Sequence, residues 1–262
     1  MSAELRTDGL TVRYGHAVAV SGATISAPGG AVTAVVGPNG AGKSSLLLGV
    51  YGSVAATGRV LVDGEDMARL PPISRARRGI ALVPQGRRLF PRLSVRDNLR
   101  VMAETLRLPP SCVDEALDRF PNLKERVRVA AGVLSGGEQQ MLVVSRALMG
   151  SPRVLLLDEM MTGLAPRIVL ELAETVKELA RSGVAVLLAE PNIGMLTPTV
   201  TRGYVLVRGG VVASSEEGGA GLERAYRSAL GIGADAGGGP DPRRLDEPAG
   251  SEGVDPGTRS PA

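Results

Sequence analysis

The chain has 262 residues, 44% apolar but only 2% aromatic and without Trp, so its core must be built from Val, Leu, Ala and Ile. Formal net charge is +3; residues 233–262 hold six acids against three Arg, which leaves about +6 on the rest. That surplus suits a phosphate ligand or an anionic surface, and with so few aromatics it excludes nucleic acid as the expected partner.

One Cys, Cys112, excludes an internal disulfide and points to a reducing compartment. The N-terminus lacks an apolar signal core. The longest apolar runs reach about six residues, against the ~20 that span a bilayer. A soluble protein is therefore expected, with any membrane role supplied by a partner.

Residues 10–14 and 17–27 read as short strands around a Tyr14-Gly15 turn. Ala31–Val36 is an apolar β run, followed by a glycine-rich loop and a helix over Ser45–Gly52. Arg59–Val62 ends in an Asp63-Gly64 turn, and Ile80–Val83 is another strand. Helical periodicity covers 94–108 and 111–128. Ser135-Gly136-Gly137 opens a helix running to about Met149. Val154–Leu157 reads as a buried strand, 166–181 as an amphipathic helix, and Val184–Ala189 as a strand ending at Glu190-Pro191-Asn192. Tyr204–Val207 and Val211–Ala213 flank Gly209-Gly210 as a hairpin. Alternating strands and helices imply an α/β fold with a mostly parallel sheet. Residues 233–262, rich in Gly, Pro, Asp and Arg, read as a disordered tail.

Gly37-Pro38-Asn39-Gly40-Ala41-Gly42-Lys43-Ser44 fits G-x4-G-K-[ST] between an apolar strand and a helix beginning at Ser45. Glycines let backbone N–H groups turn inward around phosphate oxygens, and the helix N-terminus adds its positive end. Lys43 is then the group that reaches the β- and γ-phosphates, and Ser44 a ligand for Mg²⁺. Val154-Leu-Leu-Leu-Asp158-Glu159 supplies the second half. A buried strand delivers carboxylates where α/β sheets bind ligands. Asp158 is read as holding the metal and Glu159 as polarising the attacking water.

A second glycine turn, Leu134-Ser135-Gly136-Gly137-Glu138-Gln139-Gln140, presents another helix N-terminus. With it, the chain resembles the ATP-binding subunits of ABC transporters over residues 4–232. The resemblance implies a P-loop NTPase domain with an N-terminal antiparallel β subdomain and a helical subdomain inserted over about 86–133. It implies ATP and Mg²⁺ as ligands, and two ATP molecules sandwiched in a dimer, where Ser135, Gly136 and Gly137 of one subunit close on the γ-phosphate held by the other. Tyr14 matches the aromatic that stacks on adenine, although a hairpin Tyr would read the same. Gln85 matches the glutamine that senses Mg²⁺ and the transmembrane partner. Gly86–Pro91 is expected to line the groove where a permease helix docks; its arginines read equally as a solvated face.

Four stretches, Val83-Pro84-Gln85-Gly86-Arg87-Arg88-Leu89-Phe90-Pro91, Gly136–Leu142, Gly163-Leu-Ala-Pro166 and Arg202-Gly-Tyr-Val-Leu206, look like the second ATPase subunit of branched-chain amino acid importers. That likeness implies a sister ATPase subunit, two transmembrane permease subunits, an extracytoplasmic binding protein acting indirectly, and a peripheral place on the cytoplasmic face of the membrane. Two departures stand out. Met160-Met161 replaces the usual Pro and Ser or Thr after Glu159, and is expected to alter a loop that faces the partner subunit. Pro191 stands where many members place a histidine that reaches the γ-phosphate. It has neither side-chain donor nor N–H, and losing one donor at a developing charge costs ~10²–10³ in rate. Turnover carried by Glu159 and Mg²⁺, a nucleotide-binding subunit with an impaired site, and the ATPase of another ABC system (lipid export or soluble assembly) all remain open on this ground.

Overall fold

The structure, a computed structural model, describes residues 2–232; the expected disordered tail lies outside them. The chain opens with a long hairpin, β1 (Glu4–Tyr14) and β2 (Ala17–Pro28). Along β1 the buried side chains are Leu5, Thr7, Leu10 and Val12. The alternation slips once, at a bulge between Thr7 and Leu10 where Gly9 takes φ +62°. β3 (Val32–Val36) follows and is buried at every position. It leads through the glycine loop into α1 (Lys43–Tyr51).

β4 (Ala56–Val62) and the two-residue β5 (Glu65–Asp66) turn about Asp63-Gly64, both at positive φ, as a two-residue hairpin demands. A short α2 (Pro72–Arg77) precedes β6 (Ile80–Val83). Then come α3 (Val95–Leu106), α4 (Ser111–Arg119), α5 (Pro121–Glu125) and α6 (Gly136–Leu148). The remainder alternates: β7 (Val154–Asp158), α7 (Pro166–Arg181), β8 (Ala185–Glu190), β9 (Arg202–Val207), β10 (Gly210–Ser215) and α8 (Gly218–Ala229).

Four strands form an antiparallel sheet in the order β2-β1-β4-β5. Six form the second sheet, β10-β9-β3-β8-β7-β6, parallel from β9 to β6 with β10 antiparallel at one edge. Its central strands are apolar on both faces because both faces are covered. In β7, Leu155 and Leu157 enter one core with α3 to α7, while Val154 and Leu156 enter the other with α1 and the antiparallel sheet. β8 divides the same way, Val186 and Leu188 against Leu187 and Ala189. α7 packs through Val169, Leu172, Ala173, Val176 and Ala180, a clean helical stripe.

The single helix expected over 111–128 is two helices. Phe120 is held extended (φ −127°, ψ 83°) because Pro121 follows it, and Pro121 opens α5. α2 and α8 were not foreseen; the first is six residues long, and the second starts in Gly218-Gly219-Ala220-Gly221. Among the described residues no helix is long and apolar enough to cross a membrane.

Candidate functional site

The glycine loop leaves the carboxyl end of β3, in the middle of the parallel sheet, where backbone ends of neighbouring strands converge. Two of its glycines are sterically required. A Cβ at Gly37 would overlap the Leu206 carbonyl, and one at Gly42 the Ala19 carbonyl. Gly42 also takes φ 105° as the N-cap of α1, which side chains with a Cβ resist. No side chain caps α1, so its first-turn N–H groups stay available to an anion. Pro38, Asn39, Gly40 and Ala41 complete the loop, with Gly40 at φ 79°.

Lys43 is 3% exposed and folds across the loop, donating to the carbonyls of Gly37 (2.8 Å) and Pro38 (3.1 Å). Its Nζ lies 3.8 Å from Glu159 Oε1. Burial lowers its pKa, and the charges of Glu159, Asp158 and Glu190 oppose that. Ser44, one residue on, donates its hydroxyl to Asp158 Oδ1 at 2.9 Å. Asp158 ends β7 nearly buried, and burial raises its carboxyl above the usual range against the Ser44 bond. Ser45 follows in the first turn of α1.

Gln85 leaves the end of β6 and donates its side-chain N–H to Glu159 Oε2 at 2.7 Å. Glu159 itself is left-handed, φ 46°, an unusual conformation for a carboxylate residue and one that re-aims its side chain at the strand end. Its N–H is held by the Ala189 carbonyl of β8 at 2.9 Å. Lys43, Ser44, Gln85, Asp158 and Glu159 thus meet at the ends of three neighbouring elements.

The other candidates sit apart. Tyr14 is half exposed at the β1–β2 turn, a few residues along that hairpin from Ala19, which covers Gly42. Ser135 caps α6 in a capping box: its hydroxyl accepts from the Glu138 N–H (3.3 Å), and Glu138 accepts the Ser135 N–H (2.8 Å). That pairing uses two of the amides expected to be exposed and leaves those of Gly136 and Gly137 as the free donors of the first turn. Both glycines are also packed: a Cβ on Gly136 would lie 3.0 Å from the Arg87 guanidinium, and one on Gly137 3.1 Å from Ile168. Among the described residues no hydrogen bond or ion pair joins Ser135, Gly136 or Gly137 to the glycine loop. Arg87 beside them donates to Gln139 (2.9 Å) on α6 and, with Gln85 and Glu159, lines a cleft of about 420 Å³.

One expectation changes. Met160 does not face outward: it is 3% exposed and buried in the core shared with α6 and α7, with Met161 packed beside it. The loop composition gave no way to tell an inward from an outward methionine. Glu190 stands at the end of β8 and is a buried carboxyl at 3% exposure. It accepts the Met161 N–H at 3.3 Å, and burial pushes its pKa up to about 7.

A comparison with protein families matches residues 20–162 to the family described as "ABC transporter". The chain belongs to the ABC transporter family. It is 41% identical to the high-affinity branched-chain amino acid transport ATP-binding protein BraG of Pseudomonas aeruginosa, over 79% of this chain and 91% of that one. It is 37% identical to a probable branched-chain amino acid transport ATP-binding protein, LivF, of Archaeoglobus fulgidus, over 69% and 78%. The lipopolysaccharide export ATP-binding protein LptB of Escherichia coli K12 is 32% identical over 80% and 90%. Among solved structures, an ATP-binding cassette of an ABC transporter in its ADP conformation superposes with a TM-score of 0.78 and 26% identity, covering 88% of this chain and 98% of that one. A nucleotide-free cassette gives the same TM-score at 25% identity. The protein is accordingly an ATP-binding, ATP-hydrolysing subunit of this family, and its fold is that of the ABC ATPase domain.

The residues fit Mg²⁺. The Ser44 hydroxyl and the Asp158 carboxylate are hard oxygen donors that already converge, and a buried carboxyl is relieved by a cation. Among the described residues no cluster of three His, Cys, Asp or Glu forms a protein-only cage. Mg²⁺ takes few protein ligands and completes its shell with phosphate and water.

Proposed function

We propose that this ABC ATPase powers a membrane importer of branched-chain or related amino acids from the cytoplasmic face of the membrane. It works as a pair with a second ATPase subunit, on two permease subunits, with a binding protein delivering the solute outside. The observation that carries the enzymatic part is the meeting of Lys43, the Ser44–Asp158 pair and the Gln85–Glu159 pair where α1, β6 and β7 come together. The solute class rests on the BraG and LivF likenesses. No residue of this chain needs to touch it.

The mechanism follows from these contacts. The loop amides and Lys43 bind the nucleotide phosphates, Lys43 exchanging the Gly37 and Pro38 carbonyls for them. Ser44 and Asp158, with Gln85 beside them, would hold Mg²⁺, which neutralises charge on the β- and γ-phosphates when bound. Gln85 orients Glu159, whose carboxylate accepts a proton from the attacking water. Tyr14 stacks on the base, and Ser135, Gly136 and Gly137 serve the partner's nucleotide through their free amides. Residues 1–232 form the ATPase domain, with 86–133 as its helical part.

We place the permease helix in an apolar groove flanked by Tyr51, Ile73, Leu82 and Met102, to whose polar end Arg87 and Arg88 of the expected Gly86–Pro91 stretch contribute with Arg146, while Gly86, Leu89 and Pro91 line the cleft beside Gln85. Arg146 supports that end by donating to the Arg88 carbonyl (3.0 Å) and stacking 5.4 Å from Phe90. Co-expression with the permease subunits tests the reading. ATP-dependent uptake of leucine, isoleucine or valine into vesicles is the expected result. Binding to lipid-export permeases instead, as the LptB likeness allows, would overturn the amino acid assignment.

A further inference from the structure

Glu159 follows the last residue of β7 in a left-handed conformation, and two hydrogen bonds flank it. On one side its own N–H is taken by the Ala189 carbonyl (2.9 Å). On the other, two residues on, the Met161 N–H is taken by the Glu190 carboxyl (3.3 Å). Both acceptors belong to consecutive residues at the end of β8. Register pairing of Asp158 with Ala189 brings the two strand ends together, so the turn after β7 is stitched to β8 across the position of Glu159. Pro191 tightens this arrangement. A residue before proline is confined to extended backbone, which keeps Glu190 in the strand and its side chain fixed relative to the ladder.

We propose that Glu190 is a positioning residue: its buried side chain, as acceptor for the Met161 amide, holds the Glu159 turn against β8 and so aims Glu159 at the nucleotide site. This rests on the reading of Glu159 as the group that activates water. What the side chain supplies is an acceptor oxygen in a dry place, not a contact with the nucleotide. Raising of its pKa by burial agrees with that, since an uncharged carboxyl still offers its carbonyl oxygen. An amide of the same shape should serve equally well, and an apolar side chain of the same length should not. The assignment also gives the strand end a purpose that does not need a donor at position 191.

The test uses the full chain in three forms, wild type, Glu190→Gln and Glu190→Met, with Glu190→Ala in reserve should Met fail to fold. Hydrogen exchange of the segment 159–164 is followed by mass spectrometry without nucleotide, and steady-state ATP hydrolysis with Mg²⁺ is measured beside it. Loss of a protecting hydrogen bond should speed exchange there about tenfold in Glu190→Met and leave Glu190→Gln within about threefold of wild type. Turnover should fall by up to ~10²-fold in kcat for Met, with KM for ATP within about threefold, because misplacing a reacting group by about 1 Å costs that much. Rescue by Gln would separate an acceptor from a mere filler of space. Unchanged exchange in Glu190→Met, or Gln as damaging as Met, would overturn the proposal. If the wild type does not turn over even when paired with the second ATPase subunit, the reading of Glu159 is what fails, and exchange alone then decides for or against the stitching role.

Discussion

Replacing Glu190 with Gln should stabilise the nucleotide-free protein above neutral pH and do almost nothing below pH 4.5. The wild-type carboxyl is 3% exposed and titrates at about 7 in the folded chain, against 4.5 when free. Between those values the folded state binds more protons than the unfolded state, so stability falls as pH rises through this window. Below it the carboxyl is neutral in both states and its contribution is fully present; above it the contribution is lost. The gap between 4.5 and about 7 corresponds to at most about 3 kcal/mol. Gln keeps the acceptor for Met161 and never ionises. Urea unfolding of both forms from pH 4 to pH 8.5 reads the effect, because groups remote from Glu190 cancel in the difference and only Glu190 and its charged neighbours Glu159, Asp158 and Lys43 remain. The advantage of Glu190→Gln should grow across the window and level off above pH 7. A difference that is flat with pH, or a variant less stable at pH 8, would refute a buried, proton-binding Glu190.

Other consequences follow from the same contacts. Gly42→Ala places a Cβ against the Ala19 carbonyl at φ 105°, and should cost more than about 1–3 kcal/mol of stability and abolish nucleotide binding, both readable by thermal melting with and without ATP. Leu155→Ala removes a fully buried side chain from β7 and should lower unfolding free energy by about 2–5 kcal/mol. Arg146→Met removes the donor to the Arg88 carbonyl and the stack on Phe90. Its effect should be weaker binding to the permease, seen by co-purification, with ATP affinity unchanged. Pro191→His should leave turnover within a few-fold of wild type if the Glu190 stitching suffices; a rise of ~10² would show that a missing donor limits the site.

Much of the site could be read from the sequence because its requirements are local. A loop that cradles phosphate needs glycines at fixed spacing, and a strand of Val and Leu ending in Asp-Glu, weak as a signal alone, becomes legible beside that loop. Glu190 was harder. Val184–Ala189 looks complete as a strand without it, and its role depends on β7 lying next to β8, which residue order does not state. Met160 was hidden for a related reason: whether it points into the core is decided by how α6 and α7 pack around it, which residue order does not state. Helix periodicity runs on through Phe120, and only the steric effect of Pro121 on its predecessor divides α4 from α5. α8 was hidden by three glycines at its start, yet it is held by packing on β9 and β10, with Leu222 fully buried. Tertiary contact there outweighs a poor local propensity.

The most direct test of the account is steady-state ATP hydrolysis by the purified chain, with Mg²⁺, with the metal chelated, and in Glu159→Gln. The account predicts Mg²⁺-dependent turnover that disappears on chelation and in Glu159→Gln, while that variant still binds ATP. Turnover that persists in Glu159→Gln would contradict the assignment of the Gln85–Glu159 pair as the catalytic end of the site.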